Sequence, residues 1–158
     1  ELFGELPTGR LAVVSPGTIR VDGDPSDWDG VAPVTVEPVQ DQGPVDLAPA
    51  ADITRAYVAW DGEHLFVRLD ALRRVSSAVK YQIYIHPLIN GKVAPPRTFA
   101  LRPGRRHREL EARAAGRCLE VAIPWPARPG FEGLMIGAAT RSRVYPLDRS
   151  AWAMVSRQ

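Results

Sequence analysis

The residues that could do chemistry are few, and most stand early in the chain. Asp22-Gly23-Asp24-Pro25-Ser26-Asp27-Trp28-Asp29-Gly30 is a dense turn in which Asp22, Asp24 and Ser26 place oxygens at alternate positions. That spacing matches the first half of a calcium loop, because hard cations take carboxylate oxygens. An EF-hand loop then needs Gly at its sixth position and a bidentate Glu at its twelfth; Asp27 and Pro33 stand there instead. Two readings remain. One is a looser calcium site drawn from Asp22, Asp24 and Asp27. The other is a metal-free turn whose Asp side chains bond nearby backbone N–H groups.

Catalytic patterns are missing from the sequence. It has no Gly-x-Ser-x-Gly elbow, no His-Glu-x-x-His or Cys-x-x-Cys pair and no Gly-rich phosphate loop opening a helix. His64 follows a turn signal, His86 ends an alternating run on its polar side, and His107 sits among arginines. Cys118 is the only cysteine and lies in the apolar run Cys118 to Ile123, which reads as a buried, inert thiol. The expectation is a domain without catalysis of its own.

The elements that would position these residues read as strands. Asp52 to Asp70 holds two β-favouring arms around Asp61-Gly62, a dipeptide suited to the positive φ values of a tight hairpin. Both faces of this hairpin carry apolar residues, which predicts burial on one face and partial cover on the other. Val79 to His86 alternates cleanly as a half-buried strand, and Asn90-Gly91 is a second hairpin signal. Shorter strands are expected at Thr18–Val21, Val34–Val39, Arg117–Ile123, Leu134–Arg143 and Ala151–Ser156, with a loop over residues 40–51. Arg97–Leu101 and Arg108–Ala112 read as hairpin arms around an arginine-rich turn. No helical period of useful length appears. The fold class expected is all-β, an antiparallel jelly-roll-like sandwich over residues 18–158, preceded by a lead-in or linker at 1–17 with one edge strand.

Composition sets outer bounds. The 158 residues suit one domain with a real core. The net charge of +2 conceals an asymmetry: residues 22–70 carry eleven acids against Arg55 and Arg68, and residues 71–158 carry sixteen Lys and Arg against five acids. The two halves are expected to pair across one fold. No aromatic-interleaved basic stripe points to nucleic acid, and no apolar run approaches the roughly 20 residues a membrane helix needs. Arg102, Arg105, Arg106 and Arg108 around His107 form one basic cluster, readable as a solvated turn or as a surface for an anionic partner. The absence of an initiator Met and of a signal peptide reads as a mature product or excised domain.

Three segments carry a resemblance. They are Ile19-Arg20-Val21-Asp22-Gly23-Asp24-Pro25-Ser26-Asp27-Trp28, then Val58 to Asp70 with its Trp60-Asp61-Gly62-Glu63-His64-Leu65-Phe66 centre, then Leu119-Glu120-Val121-Ala122-Ile123-Pro124-Trp125. In order and spacing they resemble the family 9 carbohydrate-binding modules and the wider DOMON-like sandwich group, with glucodextranase- and pullulanase-type C-terminal domains as similar proteins. The resemblance implies a jelly-roll sandwich, often with calcium, attached to a secreted or periplasmic carbohydrate-active enzyme whose catalytic domain is its partner. It implies a glycan held between aromatic platforms, with Trp152 and Tyr145 as platforms and Gln82, Arg141 and Glu120 as polar partners. Glu120 and Arg141 are equally readable as an ion pair. Where the sugar-binding members carry a Trp and acids, this chain has Arg73-Arg74-Val75-Ser76-Ser77-Ala78-Val79-Lys80. Two other roles belong to the same group: a structural brace that binds no small ligand, and haem b binding. For haem the chain offers Met135, Met154, His64, His86 and Lys80 but no ligand pair that can be placed, so haem is disfavoured. Trp28, Trp60 and Trp125 are expected in the core or at its rim.

Overall fold

A computed structural model describes residues 8–36, 52–142, 146–149 and 153–157. Its strands are β1 (Thr8–Arg10), β2 (Ala12–Val13), β3 (Thr35–Val36), β4 (Ile53–Trp60), β5 (His64–Ala71), β6 (Lys80–Ile89) and β7 (Lys92–Val93). They continue with β8 (Arg97–Leu101), β9 (Glu111–Ala115), β10 (Cys118–Pro124), β11 (Phe131–Arg141), β12 (Pro146–Arg149) and β13 (Ala153–Ser156). One sheet has the order β1-β13-β11-β6-β7, with β12 on β11 and β8 on β6; the other has the order β2-β4-β5-β10-β9, with β3 on β4. The architecture is an all-β, sandwich-like fold. Among the described residues the one helical turn is 3₁₀, at Pro25–Trp28, and no helix is long and apolar enough to cross a membrane.

The two-residue period explains the core. β6 alternates buried and half-buried side chains through Tyr81, Ile83 and Ile85. These meet Val58, Trp60, Leu65, Val67, Leu119 and Ile123 from the opposite sheet, and Leu134, Ile136 and Val155 complete the layer. At one end Trp60 packs edge-on against Phe131 at 5.2 Å and donates its indole N–H to the Trp125 carbonyl at 2.8 Å, which satisfies the polar handle of a buried indole. Trp28, Trp60 and Trp125 are all buried.

The Asn90-Gly91 hairpin follows its sequence signal. Both residues have positive φ and Ile89 pairs with Lys92, as a tight turn of the favoured hand requires. The Asp61-Gly62 turn is built differently: only Gly62 has positive φ. Asp61 instead uses its side chain, whose Oδ1 accepts from the Glu63 and His64 N–H groups at 2.8 and 2.6 Å.

Several expectations are corrected. Simple alternation along the first arm of the hairpin puts Ile53 on one face with Arg55, Tyr57 and Ala59, but the register of β4 with β5 shifts between Ile53 and Arg55, and this bulge turns Ile53 to the main core with Ala56, Val58 and Trp60. Arg97–Leu101 and Arg108–Ala112 are not hairpin arms: β8 pairs with β6 in one sheet, and the second strand lies at Glu111–Ala115, where β9 pairs with β10 in the other. Thr18–Val21 forms no strand, because the Arg20 N–H is taken by Asp27 Oδ2 at 3.0 Å rather than by a ladder. The expected strand at Val34–Val39 is described only as Thr35–Val36, and the expected loop at 40–51 lies outside the described residues.

The pairing is antiparallel throughout the centre, with two parallel exceptions made by residues 8–13. β1 pairs parallel with β13, and β2 pairs parallel with β4. Between them the segment crosses from sheet to sheet at Leu11, which is 1% exposed and donates its N–H to the Ser156 carbonyl at 2.6 Å. Leu11 is therefore a core residue. Leu11→Ala is expected to lower stability by about 2–4 kcal/mol, read as a reduced midpoint in urea unfolding; an unchanged midpoint would show that the crossing contributes nothing to the fold.

Candidate functional site

Residues 14–31 lie across the outer face of the six-stranded sheet as a strap. Ile19 and Trp28 are buried there against Tyr57, Ala59, Phe66 and Ala122, with Val14, Val21 and Val31 packed around them. The turn signals act locally. Asp22 Oδ1 accepts from the Asp24 N–H at 2.8 Å, Asp24 Oδ1 accepts from the Ser26 N–H at 3.0 Å, and Pro25 opens the 3₁₀ turn that delivers Trp28. Gly23 has a φ of +83°, and a Cβ there would lie 2.7 Å from the Ala115 Cβ. Only glycine lets the strap press this close to the β9–β10 hairpin.

Under the strap sits Glu120. It lies mid-strand in β10, opposite Arg68 on one side and Arg113 on the other, and it is fully buried. Its Oε2 accepts from the Trp28 indole N–H at 3.0 Å, while its Oε1 has no hydrogen-bond partner among the described residues. Neither arginine forms an ion pair with it. Arg68 makes a two-pronged contact with Asp70, at 2.9 and 2.8 Å, and lies 4.2 Å over the Tyr57 ring, whereas Arg113 is exposed. Asp22 and Asp27 come in from the strap, so that one oxygen from each of Asp22, Asp27 and Glu120 lies within 4.8 Å of the others.

Burial pushes the Glu120 carboxyl up to about 7. The Trp28 N–H opposes that shift, and the Asp22 and Asp27 charges add to it. The Gly23 backbone also favours the ionised form, while Oε1 is left without a hydrogen bond among the described residues. Nearby, burial first and the Asp70 charge second push the Cys118 thiol up to about 12, which keeps it un-ionised at neutral pH.

The proposed metal ligands thus divide. Asp22 and Asp27 reach the cluster, Asp24 caps the 3₁₀ turn, and the third carboxylate is Glu120. A signal for Glu120 existed in the sequence, a lone carboxylate inside the otherwise apolar run Leu119–Ile123.

The proposed sugar contacts divide as well. Gln82 and Arg141 lie on the outer face of the seven-stranded sheet, where Ala139 pairs with Gln82 and Arg141 with Lys80. Glu120 belongs to the other sheet, which also separates it from Arg141 as an ion-pair partner. Beside Gln82 stands half-buried Tyr84, which donates its hydroxyl to Gln82 Oε1 at 3.0 Å. Tyr84 is flanked across the strands by Gly137 and Thr98, and Gln82 by Ala139 and Ala100. Sequence reasoning missed Tyr84, although it stands on the polar side of the β6 alternation. Trp152 and Tyr145 lie outside the described residues.

Of the haem candidates, Met135 pairs with His86 on one side and Met154 on the other, in one row of that same face. His86 Nδ1 lies 3.1 Å from the Ala94 carbonyl. His64 opens β5 in the other sheet. Arg105, Arg106 and His107 of the basic cluster border two adjoining clefts of about 490 and 210 Å³. No protein-family model matches the chain, and no curated protein sequence matches it significantly.

The Glu120 carboxyl makes stability depend on pH. Its folded value of about 7 exceeds the ordinary 4.5, so between these values the folded state binds more protons than the unfolded chain. Stability then falls as pH rises through that window. With a chelator present, the urea midpoint is expected to drop between about pH 5 and pH 7.5, and Glu120→Gln to make the drop shallower. An identical slope in the variant would locate the titration elsewhere.

Proposed function

We propose that this chain is a non-catalytic accessory module of a carbohydrate-active enzyme, contacting glycan through the outer face of its seven-stranded sheet. The observation that carries the reading is the shared placement of Gln82, Tyr84 and Arg141 on one face, beside residues with little or no side chain. Pyranose rings present apolar C–H faces and a rim of hydroxyls; they bind where an aromatic ring borders hydrogen-bonding side chains. Gly137 and Ala139, cross-strand to Tyr84 and Gln82, leave room for a ring to approach. The resemblance of the three motifs adds the parent enzyme's catalytic domain as a partner and a secreted or periplasmic setting. A fold by itself assigns no function, so the reading stands on this face and on those motifs.

The test is a tryptophan and tyrosine fluorescence titration against soluble α-glucans, xylan, cellulose oligosaccharides and monosaccharides, run on wild type, Tyr84→Ala and Trp152→Ala. A saturable change is expected for one glycan class, with affinity reduced at least about tenfold in Tyr84→Ala, equivalent to about 1.4 kcal/mol. No response across the panel from the folded protein would overturn the glycan reading in favour of a structural brace. A Soret band in the purified protein would overturn it in favour of haem.

A further inference from the structure

We infer that Asp22, Asp27 and Glu120 form a binding site for a hard divalent cation, calcium by the number of its carboxylates, which clasps the strap to the outer face of the six-stranded sheet. The inference is independent of whether the opposite face binds glycan. Glu120 gives the strongest ground for it. A fully buried carboxylate oxygen without a hydrogen bond is costly, and among the described residues Oε1 is such an atom. The neighbouring cations do not relieve it, since Arg68 is turned to Asp70 and Arg113 is exposed. What lies beside it is two further carboxylates. Three acids brought together, one of them with an unsatisfied buried oxygen, make a donor set that repels itself and suits a cation.

Geometry narrows the ion. Two oxygens bound to one calcium at about 2.4 Å lie at most about 4.8 Å apart, and the three carboxylates fall within that limit. Magnesium demands a near-ideal octahedron, dehydrates reluctantly and is usually held by only one or two carboxylates, so three carboxylates from two separate elements favour calcium. The two aspartates are also anchored for the task. Asp22 uses Oδ1 on the Asp24 N–H, and Asp27 uses Oδ2 on the Arg20 N–H; each keeps its other oxygen. Two ligands come from the strap and one from β10, so the ion joins elements that are nearly a hundred residues apart in sequence, as Trp28 and Glu120 already are.

Trp28 supplies a readout. Its indole bonds the Glu120 carboxylate directly, close enough to sensitise luminescence from terbium, an oxygen-seeking stand-in for calcium. The chain is titrated with terbium under tryptophan excitation, then with calcium or magnesium as competitor, and folding of each variant is checked by near-UV circular dichroism. The expected result is saturable luminescence displaced by calcium at concentrations where magnesium is ineffective. Asp27→Asn and Glu120→Gln should each weaken binding at least about tenfold, with Asp24→Asn near wild type. Calcium should raise the thermal midpoint of wild type and not of Glu120→Gln. No luminescence at millimolar terbium, or luminescence indifferent to both ligand substitutions, would overturn the site. Equal competition by magnesium would overturn the assignment to calcium.

Discussion

The hydrogen bond from the Trp28 indole to Glu120 is the constraint around which this sandwich is arranged. Both groups are buried, and either one alone would be a desolvated polar atom without a partner. Joined at 3.0 Å, they fix where the strap crosses the sheet. Ile19, Tyr57, Phe66 and Ala122 then pack beneath that crossing as a second apolar layer. The β4–β5 hairpin can be apolar on both faces only because this layer exists. Remove the strap, and Tyr57, Ala59 and Phe66 would face water.

That arrangement gives the two sheets different exteriors. The six-stranded sheet is covered, and its outer face is a second core with a carboxylate in it. The seven-stranded sheet leaves a half-exposed outer face, with Lys80, Gln82, Tyr84 and His86 along β6 and small residues beside them on β11. The open polar face belongs to the second sheet, and the buried carboxylate to the first. The three sequence motifs meet at joints between elements rather than on the open face. Trp28 bonds Glu120, Trp60 bonds the Trp125 carbonyl, and the Trp125 N–H returns to the Glu63 carbonyl at 2.7 Å.

Strand identity was legible wherever the period was clean and the turn chemistry local. The β6 alternation, the Asn90-Gly91 turn and the apolar run of β10 translate directly into structure, and so does burial of Trp28, Trp60 and Trp125. What was not legible depended on partners distant in the chain. The bulge beside Ile53 reverses a face without any composition signal. β8 and β9 look like the arms of a hairpin because each is short and β-favouring; only the layer each must cover sends them to different sheets. Thr18–Val21 has strand propensity, yet Asp27 takes one of its N–H groups. At the candidate metal centre Asp24, which the spacing also favoured, caps the 3₁₀ turn, whereas Asp22 was visible from its spacing and Asp27 from the same acid-rich turn. The third carboxylate was not, because nothing local in Leu119–Ile123 says which loop will lie over Glu120.

The parallel pairing of β1 with β13 has a consequence for how the molecule comes to be folded. Thr8 lies beside Met154, so this ladder closes a loop of nearly the chain's full length. Contacts of such separation form late, since the entropy of closing the loop must be met before the contact returns anything. During synthesis β1 has no partner until almost the whole domain has emerged, while the β4–β5 hairpin can pair at once. The edge at β1 and β13 is therefore the last seam to close. As an edge pair, held on one side alone by β11, it also belongs to the part of the sheet that opens readily when the native protein breathes.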